Sequence, residues 1–148
     1  MYDGCAEMLD SDPLASIFAI DKRYCFMNYS SGTVRVFDSK SKKITPFAKT
    51  ISSQCVAKDN SGTVWISSWN GWLYGYNESG EIKHKILIDS IGGAKITLCC
   101  DHDGALWVGT MGAGLVHIPY PKSSNPTIER YKYKPGENSL SSNHDFRL

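Results

Sequence analysis

Short runs in which apolar and polar residues alternate, each cut off by turn-forming residues, recur along this 148-residue chain. Alternation with a period of two gives a strand one face for a core and one for its surroundings. No window carries the 3.6-residue period of an amphipathic helix. Runs rich in Val, Ile, Tyr and Trp fall at 17–20, 24–28, 33–37, 55–57, 64–67, 72–76, 96–99, 106–109 and 115–118, with weaker ones at 43–47, 81–86 and 127–133. The pattern predicts twelve strands and an all-β chain.

The runs come in fours. Asp59-x-x-Gly62-Thr63-Val64-Trp65 and Asp101-x-x-Gly104-Ala105-Leu106-Trp107 share one spacing, and a degraded copy keeps Asp21 and Phe26. Trp65 and Trp107 lie 42 residues apart, and Phe26 and Trp65 lie 39 apart. Six positions after Phe26 and Trp65 stand Gly32 and Gly71; five and seven after Trp107 stand Gly112 and Gly114. Val34, Leu73 and Leu115 follow the aromatic by eight residues, and Phe37, Tyr76 and Ile118 by eleven. A period of about 40 residues with one aromatic per unit is the signature of a propeller blade. The expected fold is a β-propeller fragment of about three four-stranded antiparallel blades, at about 14–48, 51–88 and 95–134, with the first strand of a fourth within 138–148. In each unit strand a ends at the aspartate, whose carboxylate bonds nearby amides while the glycine takes positive φ. Strand b carries the aromatic, a glycine turn leads to c, and d is the weakest. Asp59 and Asp101 are thus expected to hold turns and bind no metal, with Phe26, Trp65 and Trp107 in the core.

Asp101-His-Asp-Gly-Ala-Leu-Trp-Val-Gly-Thr-Met-Gly-Ala-Gly-Leu115 resembles the two-component-regulator propeller repeat. Tyr131…Pro135-Gly-Glu-Asn-Ser-Leu-Ser-Ser-Asn143 is similar to that family's inter-blade linker. Unit two departs from it, with Ser67-Ser-Trp-Asn-Gly71 in place of Gly-Thr-x-x-Gly, and unit one keeps only Asp21, Phe26 and Gly32. In that family such repeats build the extracytoplasmic sensor of Bacteroidetes hybrid histidine kinases, where two large propellers precede a β-sandwich, a membrane span and a kinase. The resemblance therefore implies a non-catalytic periplasmic input domain that senses oligosaccharides. Ser31-Gly-Thr-Val-Arg-Val-Phe-Asp38 also resembles strand c of a WD repeat, which would imply a protein-interaction scaffold. The Gly-His and Trp-Asp pairs of that repeat are missing from all three units.

A net charge of +1 and a pI near 7.6 supply no basic field for nucleic acid. Apolar stretches such as Ile86-Leu87-Ile88 are far too short to span a membrane. Met1-Tyr-Asp-Gly-Cys-Ala-Glu has neither a charged n-region nor an apolar h-region, so a periplasmic location rests on the resemblance alone. Cys25, Cys55 and at least one of Cys99 and Cys100 read as small apolar strand residues. Cys99-Cys-Asp-His-Asp103 looks metal-like, but adjacent strand residues point to opposite faces and Asp101 is already used by the turn. The four histidines fall in different parts of the repeat with no ligand spacing, and no nucleophile elbow is present. Gly109–Gly114 is glycine-rich but precedes no helix that could cradle phosphate. No catalytic residue, metal or cofactor is expected, and a carbohydrate-active enzyme fragment is the weakest reading.

Trp69 and Trp72 stand outside the repeat positions, in the connection between strands b and c. With Tyr29, Asn70 and Met111 they mark a candidate ligand face, since indole can stack on the apolar face of a sugar ring. An open stack of three blades should also expose two apolar ends, with Phe26, Val34 and Phe37 at one and Leu106, Leu115 and Ile118 at the other. Self-association, or contact with the remaining blades of a parent chain, is the expected consequence.

Overall fold

A computed structural model describes residues 12–20, 22–49, 53–88 and 95–143. Twelve strands form three antiparallel sheets, and the described residues contain no helix. Blade one is β1 (Leu14–Ala19), β2 (Tyr24–Tyr29), β3 (Thr33–Asp38) and β4 (Lys43–Lys49). Blade two is β5 (Ser53–Lys58), β6 (Val64–Ser68), β7 (Trp72–Tyr76) and β8 (Ile82–Leu87). Blade three is β9 (Lys95–Cys100), β10 (Leu106–Thr110), β11 (Leu115–Ile118) and β12 (Glu129–Tyr131). Spatial order follows chain order in every sheet, the arrangement the four-strand units predict. β12 is shorter than the 127–133 run and is an exposed edge strand.

Asp21, residues 51–52 and the 144–148 end of the expected fourth blade lie outside the described residues. Residues 138–143 form no strand and run back along blade three. There Gly112 N donates to Asn143 O at 2.9 Å, and Tyr133 N donates to Asn143 Oδ1 at 2.6 Å. In the other blades Ser30 N donates to Pro13 O and Ile88 N to Gly71 O, each at 2.9 Å. These bonds place the b–c turns and the segments joining blades on one face of the stack. The a–b and c–d turns occupy the other, where Asn60 Nδ2 donates to His102 O at 3.0 Å.

Two apolar layers fill the space between blades. Phe26 and Val34 of blade one meet Val56, Val64, Ile66 and Tyr76 of blade two. Trp65 and Leu73 of blade two meet Leu98, Leu106, Val108, Val116 and Ile118 of blade three. All five residues of β6 are buried, because only blade two has a neighbour on both sides. Near the inner strands a polar tie joins the first two blades: buried Asn28 donates to Ser53 O at 2.5 Å and accepts from Ser53 Oγ.

This alternation corrects the expected end faces. The repeat aromatic of each blade projects forward, onto the blade that follows in the chain. Phe26 and Val34 are therefore sealed between blades one and two, and Leu106 and Ile118 between blades two and three. The rear of blade one instead carries Ile17, Cys25, Arg35 and Phe37, and the front of blade three carries Trp107, Leu115, His117 and Tyr131. Phe37 and Leu115 are the two residues placed at the ends as expected.

Gly75 pairs with Trp65 across β6 and β7, and the indole lies flat over it. A Cβ there would sit 2.9 Å from Trp65 Cζ3 and 3.1 Å from His84 Cβ. Gly75→Ala should overpack this layer and destabilise the fold by about 1–3 kcal/mol in urea titration. An unchanged midpoint would show that the indole does not cover Gly75.

Candidate functional site

The two intact turns share the same backbone hydrogen bonds. Asp59 Oδ1 accepts from Ser61 N at 2.9 Å and Thr63 N at 3.0 Å. Asp101 Oδ1 accepts from Asp103 N at 3.0 Å and Ala105 N at 2.9 Å. Gly62 and Gly104 take φ of 91° and 87°, the left-handed region that a side chain would disfavour. The second carboxylate oxygen does something the turn did not require. Trp65 Nε1 donates to Asp59 Oδ2 and Trp107 Nε1 to Asp101 Oδ2, each at 3.0 Å. The signal was present in the sequence, as an aspartate six residues before a tryptophan, twice.

Asp59 is also held by blade three. Lys122 Nζ stands 2.7 Å from Asp59 Oδ2 and donates to Ser61 Oγ. Burial opposes ionisation of Asp59, but Lys122, the Trp65 indole, Ser61 and the Thr63 amide outweigh it and pull the carboxyl down to about 2. Asp101 is lowered too, chiefly by the Trp107 indole. Burial pushes the Cys55 thiol up to about 11 and the Cys100 thiol up to about 12, which suits small apolar strand residues rather than nucleophiles.

The five candidate ligand residues all lie towards the b–c face, one in blade one, three in blade two and one in blade three. Trp69 is 54% exposed in the β6–β7 turn. Its neighbour Asn70 accepts from Trp72 N at 3.3 Å through Oδ1, which shapes the turn. Trp72 is half-buried at the start of β7, with Lys85 Nζ 4.0 Å from the centre of its ring. Met111 is exposed in the β10–β11 turn of blade three. Tyr29 differs from expectation: it is buried at the end of β2, with the Arg35 guanidinium 4.7 Å over its ring. Trp69, Asn70 and Trp72 thus form one cluster, Met111 stands in the matching turn of the next blade, and Tyr29 offers no open ring.

Cavities of about 610, 410 and 390 Å³ lie elsewhere. The first covers Trp107 and Leu115 at the front of blade three, and the second runs between blades one and two beside Phe26 and Phe47. The third lies between the Asp59 and Asp103 turns under the 119–123 loop. That loop belongs to an insertion that sequence reasoning passed over. The c–d connection spans 119–128 in blade three but only 39–42 and 77–81 in the other two. It carries Lys122 onto Asp59 and leaves Tyr120 exposed between two prolines.

Solved structures define the class. The extracellular domain of a putative one component system from B. thetaiotaomicron superposes with a TM-score of 0.69 at 18% identity, over 89% of this chain and 18% of that one. The extracellular domain of a putative hybrid two component system from the same organism gives 0.63 at 19%, over 84% and 18%. The Cps50 (Swd1) beta-propeller domain of Myceliophteria thermophila gives 0.68 at 6%, over 84% and 41%. At these identities the likeness establishes fold, and the three sheets are β-propeller blades. The chain spans less than half the length of each of these structures. Residues 86–112, from β8 through the Asp101–Trp107 unit, match the two component regulator propeller family, and this segment is a repeat of that kind. No curated protein matches the chain.

Because Asp59 ionises more readily folded than unfolded, its contribution is present above about pH 4 and lost as pH falls towards 2. Asp59→Asn should cost about 2 kcal/mol at neutral pH and flatten the fall in stability across that window, measured by urea titration at several pH values. The same acid slope in the variant would show that Asp59 is not the group responsible.

Proposed function

We propose that this chain is part of the ligand-sensing propeller of an extracytoplasmic two-component regulator, and that it binds an oligosaccharide without catalysis. The exposed Trp69 indole carries the reading. Phe26 and Trp65 are packed between blades and Trp107 stacks on His117 at the front of blade three, whereas Trp69 lies in a turn, more than half exposed, with no such duty. Solvating an indole is costly, and a flat apolar surface rimmed by polar groups suits the C–H face of a sugar ring. Asn70 and the ammonium of Lys85 over Trp72 supply donors around it.

The way several of the acids are engaged supports binding rather than chemistry. Asp38 is held by Arg23 through two bonds of 2.8 and 2.6 Å, and Asp59 and Asp101 are consumed by their turns. Glu129 is engaged by His117 and Tyr131. The family match at 86–112 and the extracellular relatives named above support an extracytoplasmic setting. A cytoplasmic protein-interaction scaffold is the rival reading, and the likeness to Cps50 speaks for the shared fold only.

Glycan and peptide arrays probed with the full chain separate the two. Selective binding of oligosaccharides is expected, and calorimetry on the best of them should show Trp69→Ala weakening affinity about tenfold with the circular dichroism spectrum unchanged. Trp72→Ala should act in the same direction. Binding to peptides alone, or a saccharide affinity indifferent to Trp69, would overturn the proposal.

A further inference from the structure

The two internal junctions are closed differently at their outer ends. Between blades two and three, the strand b position holds Trp65, fully buried, with its N–H on Asp59 and Lys122 closing on the same carboxylate. Between blades one and two the equivalent residue is Phe26, which pairs with Val36 as Trp65 pairs with Gly75. A phenyl ring is smaller than an indole, and the cleft of about 410 Å³ opens beside it, towards the a–b and c–d turns. Both of its walls are internal to the stack: β2, β3 and β4 on one side, β5, β6 and the β7–β8 turn on the other.

The lining suits a flat apolar group. Phe26 and Phe47 meet edge to face at 4.9 Å, Phe47 tilts against Tyr76 at 5.9 Å, and Tyr24 and Val36 extend the wall. The two sides are held close, since a Cβ on Gly80 would stand 2.4 Å from the Phe47 carbonyl oxygen. A concave site of this size, mostly apolar with a few polar groups, is of the kind that takes small organic ligands. Its rim carries opposite charges, Lys58 at the end of β5 and Glu78 in the β7–β8 turn. Every other described carboxylate has a cation or a hydrogen-bond donor, but Glu78 has neither among the described residues. Its Oε1 lies instead over Gly62, 3.2 Å from where a Cβ there would stand. Lys58 has no partner among the described residues either, and the two do not pair with each other.

The geometry points to a second binding site in this cleft, for a small aromatic zwitterion such as a free aromatic amino acid. The ring of the ligand enters beside Phe26 and Phe47, where the next junction uses the indole of Trp65. Its ammonium meets Glu78 and its carboxylate meets Lys58, so each open charge on the rim gains a charge-assisted partner. The site lies on the turn face opposite Trp69, and it stands whether or not Trp69 binds a saccharide.

Isothermal calorimetry of the full chain with L-tryptophan tests this. Saturable binding with a dissociation constant below about 1 mM is expected. Tryptamine and indole-3-propionate each lack one of the two charges and should bind at least about tenfold more weakly. Glu78→Gln should weaken L-tryptophan and leave indole-3-propionate, which has no ammonium, unaffected. Lys58→Gln should weaken L-tryptophan and leave tryptamine, which has no carboxylate, unaffected. Both side chains are exposed, so the circular dichroism spectrum should not change. Trp69→Ala should leave L-tryptophan binding as it was, which separates this site from the saccharide face. No saturation up to about 10 mM overturns the proposal. So does an affinity that neither charge variant alters, or one that the two analogues match.

Discussion

A carboxylate oxygen 3.0 Å from an indole N–H decides where the largest side chain of each intact blade points. Aspartate closes the a–b turn with one oxygen and holds the tryptophan with the other. The bulky ring is thereby fixed at its polar edge while its apolar body is pressed towards the next blade. A buried indole N–H needs an acceptor, and a charged one makes the stronger bond. The layer between blades two and three follows from this placement: Trp65 lies flat over Gly75, stacks beside His84 at 5.6 Å, and gives the residues of β10 and β11 a continuous surface. Blade one uses Phe26 at the same position, which has no N–H to satisfy and so can fill the layer without a carboxylate partner.

Polar ties then fix each junction at points the apolar layer leaves open. Between blades two and three, Lys122 reaches Asp59, Asn60 reaches the His102 carbonyl, and Arg130 Nη2 donates to the Ile88 carbonyl. Between blades one and two, the buried Asn28–Ser53 pair does the same work near the inner strands. Hydrophobic burial is tolerant of small slips, whereas each of these bonds is lost if a blade rotates on its neighbour. Asp59 belongs to both systems, since it anchors Trp65 within its own blade and receives Lys122 from the next.

Much of this was legible in the sequence because a repeat states its rule more than once. The edges of β3, β7 and β11 could be placed within a residue, since each begins just after a turn glycine and alternates cleanly. The Asp-x-x-Gly turns were equally plain. What escaped was direction: spacing shows that Phe26 and Trp107 are equivalent, but only the pleat shows that both face forward, and so four of the six residues expected on the end faces lie inside the junctions. Asn28 gave no signal, because its partner Ser53 belongs to another blade. The long 119–128 connection was passed over in the sequence, and its contact with Asp59 joins residues 63 apart in the chain. Of the candidate ligand residues, Trp69 and Trp72 stood out by breaking the repeat, and Trp69 is exposed. Tyr29 looked similar in sequence but is buried under Arg35, a cross-strand relation that composition cannot show.

Hydrogen exchange at the indole N–H groups, followed in the 15N-labelled chain by NMR, tests directly whether the aspartate-held, forward-facing tryptophan organises the stack. Trp65 Nε1–H is buried and bonded to Asp59, so it should exchange only by global unfolding and rank with the slowest backbone amides of β6. Trp107 Nε1–H, bonded alike but on a half-open face, should exchange faster than Trp65 and slower than exposed Trp69. A Trp65 indole that exchanges as fast as that of Trp69 would contradict this, because the ring would then be neither held by its aspartate nor sealed by the following blade.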